Sequence, residues 1–360
     1  MERAKKISLS NQMKRKSEKP KEKSKEWLGN FDTITSTGST LLDLTISGKR
    51  KRGGGCPGGI LIEAFGPSQS GKTALLCETA GNIERNNGEN QFHDPEARLD
   101  SEFADIYGMS IQPKFYFKPD TVVELFKEVR DFSPKSIKVV NGVFADSLAA
   151  LSTDMEMDKE EGDKMGMKRA KDFSEQLRKT CRLIKRKNFI LMCSNQIRVN
   201  TDGYGAKFST PGGEAIKFYS SIRLKFNSPE KLKKTITVNG KEIEKVFGIK
   251  TEIEAIKTVD EPYRKCHVYF IYGYGIDNIR ANLQYVKDYS PKIYLKEVDE
   301  NGKNKKNSLY TINGNKLSKS LEESIAIVEK QGLENELKEQ VIDIWEGIQE
   351  KFKQNRKSKR

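Results

Sequence analysis

Hydrophobic and polar positions alternate in two rhythms along this chain. From Phe31 to about Ile276, short continuous apolar runs are interleaved with stretches whose apolar residues recur every three to four positions. ILIEAF (60–65) reads as a buried strand, and TALLCETAGNIERNN (73–87) follows it with a helical period. KVVNGVFADS (138–147) reads as a strand interrupted at Asn141-Gly142, KRAKDFSEQLRKTCRLIKRKN (168–188) as a long basic amphipathic helix, and FILMCSNQI (189–197) as the next strand. Strand and helix in alternation predict an α/β fold built on a parallel sheet with crossover helices. The rhythm then changes. In TITVNGKEIEKV (235–246), Asn239-Gly240 sits between alternating segments and predicts a hairpin with a type I′ turn. GIKTEIEAIK and CHVYFIY predict further antiparallel strands, so the sheet is expected to be mixed, mainly parallel with an antiparallel edge.

Past Tyr285 the pattern resets. KIYLKEV, a polar DENGKNKKN turn and SLYTI predict a hairpin; SLEESIAIVEKQG opens with a capping box from Ser320 to Glu323 and stops at Gly332; ENELKEQVIDIWEGIQEKFKQ predicts a last helix. The expected organisation is a basic, disordered segment at 1–30, with order beginning near Trp27–Leu28, then a core at 31–285, a small C-terminal α/β appendage at 286–350 and a basic tail at 351–360.

Charge sharpens this. The 360 residues carry a net charge of +14. Residues 1–30 hold ten Lys/Arg against four Glu, and the last ten residues hold six Lys/Arg and no acid, so twelve of the fourteen charges lie in the two ends. Basic ends favour polyanions through counterion release, and they also occur as merely solvated tails, so charge alone leaves DNA binding open. No apolar run approaches the ~20 residues of a spanning helix, and the basic N-terminus lacks the apolar stretch of a secretory signal, so no membrane association is expected. Five cysteines without CxxC spacing and only two histidines argue against a disulfide framework or a zinc site and point to a reducing, intracellular compartment.

The most specific signal is Gly66-Pro67-Ser68-Gln69-Ser70-Gly71-Lys72-Thr73, which fits G-x-x-x-x-G-K-[ST] between a predicted strand and a predicted helix. Its glycines let successive N–H groups turn toward a phosphate, the helix adds its positive N-terminus, Lys72 reaches the β/γ-phosphates, and the Thr73 hydroxyl binds Mg²⁺. Asp146, ending an apolar strand, suits the second Mg²⁺ contact; an ordinary turn-capping Asp is the alternative. Glu96, after the next short strand, is by position one acid among 51.

These motifs and their surroundings resemble the RecA recombinases, including the phage UvsX type. TSTGSTLLDLTISG (35–48) and GPSQSGKTALL are similar to the phosphate loop and the segment before it. DPEARLDSEFADIYGMS (94–110) looks like the segment carrying the catalytic glutamate, and FADSLAAL (144–151) like the Mg²⁺ strand. SNQIRVN (194–200) with STPGGEAIKFYSSIRLKF (209–226) is similar to the second DNA-binding loop and its flanks, and YFIYGYGID (269–277) to the end of the core. The resemblance covers about Thr35 to Asp277 with the motifs in order.

It implies an ATP- and Mg²⁺-dependent recombinase that forms helical filaments on single-stranded DNA, pairs it with homologous duplex and hydrolyses ATP when DNA is bound, in the cytoplasm of a bacterium or a phage-infected cell. Residue by residue, it implies Glu96 as the group that activates water, Asp100 and Phe103 at the adenine, and Gln196 as γ-phosphate sensor. It implies Arg198 and 199–211 at DNA phosphates, Gly212 and Gly213 at the loop's return, and Met165 as a wedge between bases. For Met165 a surface or core methionine is the alternative, and for Gln196 a strand-end amide satisfying backbone groups. Three departures stand out. Residues 1–26 lack the apolar stripe of a docking helix. IKTVDEPY (256–263) supplies Lys257 for the neighbour's γ-phosphate, but Thr258 replaces a second lysine. The C-terminal tail is basic where bacterial RecA ends acidic. A RecA-fold mediator that binds ATP without useful turnover and a hexameric helicase are the competing readings, disfavoured by Glu96 and by the loop between Arg198 and Gly213 respectively.

Overall fold

The computed structural model describes residues 29–153, 165–199, 208–290, 297–298, 304–305, 310–354 and 356, and the side chains of all of these except 165–167, 198–199, 208–209, 297–298 and 304–305. The expected start of order at Trp27–Leu28 therefore lies outside the described residues, as do most of the 155–168 segment and the centre of the 199–211 loop.

Along the chain, β1 (Asn30–Thr35) pairs with β2 (Cys56–Gly58) across α1 (Thr40–Ser47), whose first turn is capped by the Ser39 hydroxyl accepting from the Leu42 N–H. Then come β3 (Leu61–Gly66), α2 (Lys72–Arg85), β4 (Asn90–His93), α3 (Ser101–Ile106), β5 (Tyr116–Phe117), α4 (Val122–Asp131), β6 (Asn141–Ala145), α5 (Met165–Arg186) and β7 (Phe189–Gln196). The short β8 (Arg198–Val199) and β9 (Phe208–Ser209) pair with each other, and α6 (Gly213–Tyr219) and β10 (Ile222–Phe226) follow. The antiparallel part consists of β11 (Glu230–Val238), β12 (Lys241–Lys257), β13 (Arg264–Ile271) and β14 (Gly275–Ile276), after which α7 (Asn278–Tyr289) begins on an Asp277 cap.

These strands form one ten-stranded sheet in the order β14-β13-β12-β10-β3-β7-β6-β4-β5, with β11 hydrogen-bonded to β12. The six strands from β10 to β5 run parallel, and β12, β13 and β14 continue antiparallel. This is the mixed sheet that the two rhythms predict. The apolar runs are continuous because both faces are covered. On β7, Phe189, Leu191 and Cys193 point into one cluster with Phe126 of α4 and Phe173 of α5, while Ile190 and Met192 point into another with Leu75 and Leu76 of α2. The basic helix α5 buries Phe173, Leu177 and Ile184 and leaves Lys171, Arg178, Lys179 and Arg182 exposed, a solvated face over a packed one.

Three details depart from the sequence expectation. Asn141-Gly142 begins β6 instead of interrupting it, because the Asn141 side chain accepts from the Glu89 N–H and donates to the Ser136 and Val139 carbonyls. GIKTEIEAIK is not a separate strand. It is the second part of the 17-residue β12, which begins at Lys241 directly after Asn239 (φ 52°) and Gly240 (φ 76°), the left-handed pair of a type I′ turn. The C-terminal hairpin pairs differently: β15 (Glu297–Val298) with β16 (Asn304–Lys305), and β17 (Thr311–Ile312) with β18 (Asn315–Lys316) across Asn313-Gly314.

The last two helices are α8 (Leu321–Gln331), capped by Ser320 and ended by Gly332 at φ 64°, and α9 (Glu334–Lys351). Leu337, Val341 and Trp345 of α9 join the same apolar cluster as Leu41 and Leu44 of α1 and Leu283 of α7. The boundary expected at 285–286 falls inside α7, and the apolar core runs across it.

His93, at the end of β4, is fully buried and stacked on Phe117 with ring centroids 5.3 Å apart, and neither ring nitrogen has a hydrogen-bond partner among the described residues. Burial depresses its pKa to about 3. The folded state thus keeps His93 neutral, while the unfolded chain takes up a proton below its ordinary value near 6.5, so stability falls with pH from there toward 3. His93 should cost the protein about 2 kcal/mol of stability between pH 7 and pH 5. Urea unfolding midpoints at both pH values check this: His93→Leu should lose correspondingly less than the unsubstituted chain, and equal losses would contradict it.

Candidate nucleotide and DNA site

Four neighbouring parallel strands, β3, β7, β6 and β4, end on one side of the sheet. Gly66 is level with Gln196, and Ala145 with both Cys193 and His93. The residues following these ends therefore meet, as ligand sites in open α/β sheets do beyond the carboxyl ends of strands.

After β3 the chain makes the 66–73 loop. Gln69 (φ 58°) and Gly71 (φ 94°) are left-handed, and the Ser70 hydroxyl donates to the Pro67 carbonyl at 2.8 Å. Helix α2 starts at Lys72 behind Gly71, which has no side chain to cap it, so its first N–H groups face the loop's interior, where an anion would sit. The Lys72 ammonium donates to the carbonyls of Gly66 at 3.2 Å and Pro67 at 2.6 Å. Its burial lowers the pKa, while the Asp146 and Glu96 carboxylates push the other way. The lysine thus sits in a low-dielectric setting, held by loop carbonyls and facing two acids.

The Thr73 hydroxyl donates to Asp146 at 2.5 Å, and Ser194 donates to the other Asp146 oxygen. Burial raises the Asp146 pKa, and these two hydroxyls oppose the rise. A hydroxyl and a carboxylate meeting beside a phosphate loop form a hard-oxygen donor set, which fits Mg²⁺ with phosphate and water oxygens completing the shell. No group of three His, Cys, Asp or Glu able to hold a metal occurs among the described residues.

Glu96 lies on the same side. One carboxylate oxygen accepts from the Ser147 hydroxyl at 2.7 Å and lies 3.5 Å from the Gln196 amide nitrogen, and the other pairs with Arg98 at 2.9 Å. A cleft of about 330 Å³ opens between Glu96, Arg98, Gln196 and Pro211. A second cavity, of about 570 Å³, runs from Gly71, Lys72 and Thr73 to Phe103, Tyr107 and Phe270, a phosphate end joined to an aromatic end.

The family profile for the RecA N-terminal domain matches residues 22–277, well over half of the chain. Protein RecA of Borrelia hermsii (strain HS1 / DAH) is 32% identical over 298 residues, 82% of this chain and 77% of that protein. Protein RecA of Staphylococcus aureus (strain JH9) is 35% identical over 251 residues, 69% of this chain and 68% of that protein. The chain belongs to the RecA family. Its fold is the RecA-type α/β core and its function that of an ATP-dependent recombinase in DNA recombination and repair. The mediator and helicase readings are not favoured.

Against the RecA pattern, the structure brings residues 66–73, Asp146, Glu96 and Gln196 together, and Phe103 lies in the aromatic end of the larger cavity, tilted against Tyr107 with centroids 5.1 Å apart. Asp100 does not line that cavity. It caps α3, accepting from the Phe103 N–H at 2.7 Å, and so positions Phe103. Lys257 also lies outside the cavity: its ammonium donates to the Lys217 and Phe218 carbonyls near the end of α6 at 3.0 and 3.1 Å. Thr258, where a second lysine is expected, donates its hydroxyl to the Ile46 carbonyl. Gly212 (φ 90°) and Gly213 (φ 61°) make the loop's return turn, and the Gly213 N–H is already bonded to the Thr210 carbonyl at 3.3 Å. The backbones of Met165 and Arg198 start α5 and β8, while their side chains lie outside the described residues.

Sequence reasoning missed Ser147, Ser194, Arg98, Tyr107 and Phe270. Ser147 directly follows Asp146, and a hydroxyl next to a site acid is a usable signal; Ser194 meets Asp146 only in space. Phe270 gives none, because it reaches the loop from β13, far away in sequence.

Gly71 is a stringent position. Its φ is +94°, and an added Cβ would lie 2.4 Å from the Phe270 ring. Gly71→Ala should weaken binding of a fluorescent ATP analogue by at least about tenfold, through backbone strain and displacement of Phe270. An unchanged affinity would contradict this account of the loop.

Proposed function

We propose that this RecA-family chain assembles as a helical filament on single-stranded DNA, hydrolyses ATP in response to that DNA, and pairs the strand with homologous duplex to exchange strands. The observation that carries this reading is the Glu96–Gln196 contact. A carboxylate suited to orienting water stands beside an amide that is the last residue of β7, and the chain enters the 197–211 loop directly after it. An amide that binds a phosphate can no longer rest on Glu96, and its movement pulls on the loop.

Residues 66–73 and the N-terminus of α2 hold the phosphates, Lys72 neutralises their charge, and Phe103 stacks on the base. Thr73 and Asp146 would hold Mg²⁺, which when bound supplies charge neutralisation at the phosphates. Glu96, kept in place by Ser147 and Arg98, orients water and accepts its proton. Gln196, Arg198, Gly212 and Gly213 connect this chemistry to DNA held by its phosphates, with bases left free to pair and Met165 inserted between them. Lys257 reaches the γ-phosphate bound by a neighbouring copy. The basic segments 1–30 and 351–360 add sequence-independent affinity for DNA, and the described part of 286–350 is an appendage packed on the core. Site of action is the cytoplasm; no helix among the described residues is long and apolar enough to cross a membrane.

Two variants test this. Lys72→Ala should abolish both ATP hydrolysis and strand exchange between circular single-stranded and linear duplex DNA. Glu96→Gln should slow hydrolysis by about 10²-fold or more while retaining ATP-dependent DNA binding. Undiminished hydrolysis in Glu96→Gln would remove Glu96 from its assigned role, and strand exchange surviving in Lys72→Ala would overturn the mechanism.

A further inference from the structure

Behind the site lies a buried polar group whose side chains line neither cavity and which the mechanism above does not use. Glu63 of β3 is fully buried. It pairs at 2.6 Å with Arg223, which stands directly opposite it on β10 and also lies over the Phe65 ring at 4.6 Å. The other Glu63 oxygen accepts from the side-chain amide of Asn195 at 3.0 Å. Asn195, fully buried too, donates from the same nitrogen to the Pro211 carbonyl at 3.0 Å, while its side-chain oxygen accepts from the Gln196 N–H at 3.0 Å. One side chain thus ties the residue that enters the 197–211 loop to the residue that leaves it.

We propose that Glu63, Arg223 and Asn195 form a clamp that positions Gln196 and both ends of the 197–211 loop, and so sets how strongly DNA stimulates hydrolysis without touching nucleotide or DNA. The reasoning is electrostatic. The Asn195 amide has two orientations. In the observed one its nitrogen faces a carboxylate and a carbonyl, both acceptors, and its oxygen faces an N–H. Flipped, its oxygen would face the Glu63 carboxylate and the Pro211 carbonyl, and its nitrogen would face a donor. The negative charge on Glu63 locks the amide, and Arg223 keeps that charge tolerable in a dry interior. A buried ion pair is a poor way to gain stability compared with apolar packing of the same volume, so its geometry toward the loop ends is the better account of its presence. These three are positioning residues.

The inference rests on the recombinase reading, and the test separates the two. Removing one charge strands the other in the interior and endangers folding, so the informative variant removes both: Glu63→Met with Arg223→Met. Arg223→Lys is the conservative control. Each full-length protein is assayed for thermal unfolding, affinity for a fluorescent ATP analogue, hydrolysis without DNA, and hydrolysis with poly(dT). The double variant should fold, bind nucleotide within about twofold of the unsubstituted chain and keep its DNA-free rate, while losing at least about tenfold in stimulation by poly(dT). Arg223→Lys should keep most of the stimulation. A folded, nucleotide-binding double variant that poly(dT) stimulates normally would overturn the clamp and leave the recombinase reading standing. An unsubstituted chain that poly(dT) does not stimulate would overturn both. Should the double variant fail to fold, Asn195→Thr, which leaves the ion pair intact, is read in the same four assays and decides the matter: normal stimulation overturns the clamp, and a selective loss supports it.

Discussion

Parallel pairing in register, Gly66 beside Gln196 and Ala145 beside Cys193 and His93, is the constraint on which the rest of the molecule depends. A parallel sheet delivers every strand's carboxyl end to the same side, and crossover helices bring the chain back each time. The phosphate loop, Asp146, Gln196 and Glu96 are separated by tens of residues in sequence but converge because β3, β6, β7 and β4 are neighbours. Slipping one strand by a residue would turn its site side chain to the opposite face. The apolar clusters on both faces make such a slip prohibitive, so the packing of Phe126, Phe173, Leu75 and Met192 is what holds the chemistry in place.

Electrostatics at this edge is arranged for something the chain does not itself carry. Three charged groups, Lys72, Asp146 and Glu96, stand near one another at the end of the sheet, where burial shifts the pKa of Lys72 down and that of Asp146 up. The hydroxyls of Thr73 and Ser194 oppose the rise at Asp146, Ser147 donates to Glu96, and loop carbonyls hold the amine. A phosphate and a hard cation would complete the balance, which is why the arrangement suits nucleotide chemistry better than a purely structural role.

Much of this was legible in the sequence. The fold class followed from the change of rhythm near residue 230, and the phosphate loop from eight residues in the right order between a strand and a helix. The I′ turn followed from Asn239-Gly240. What sequence missed has physical reasons. Asn141-Gly142 looks like a break until the Asn141 side chain is seen bonding the neighbouring backbone. Strand pairing in the C-terminal segment was misjudged because Asn313-Gly314 is itself a two-residue hairpin turn, which captures Thr311–Ile312 locally before a more distant partner can. Asp100 was read as a nucleotide contact, whereas its side chain caps α3. Phe270 and the Glu63–Arg223 pair come from strands joined only in three dimensions, and no local pattern marks them.

In the proposed mechanism, nucleotide state and DNA grip are two ends of one lever at the tip of β7. By linkage, a lever of this kind must make DNA affinity depend on which nucleotide is bound. The most direct measurement is the affinity of the full chain for a fluorescent single-stranded oligonucleotide at one fixed salt concentration, with a non-hydrolysable ATP analogue and with ADP, each with Mg²⁺. Binding should be tighter with the triphosphate by at least about tenfold. Equal affinity in the two nucleotide states, with both nucleotides shown to be bound, would contradict it.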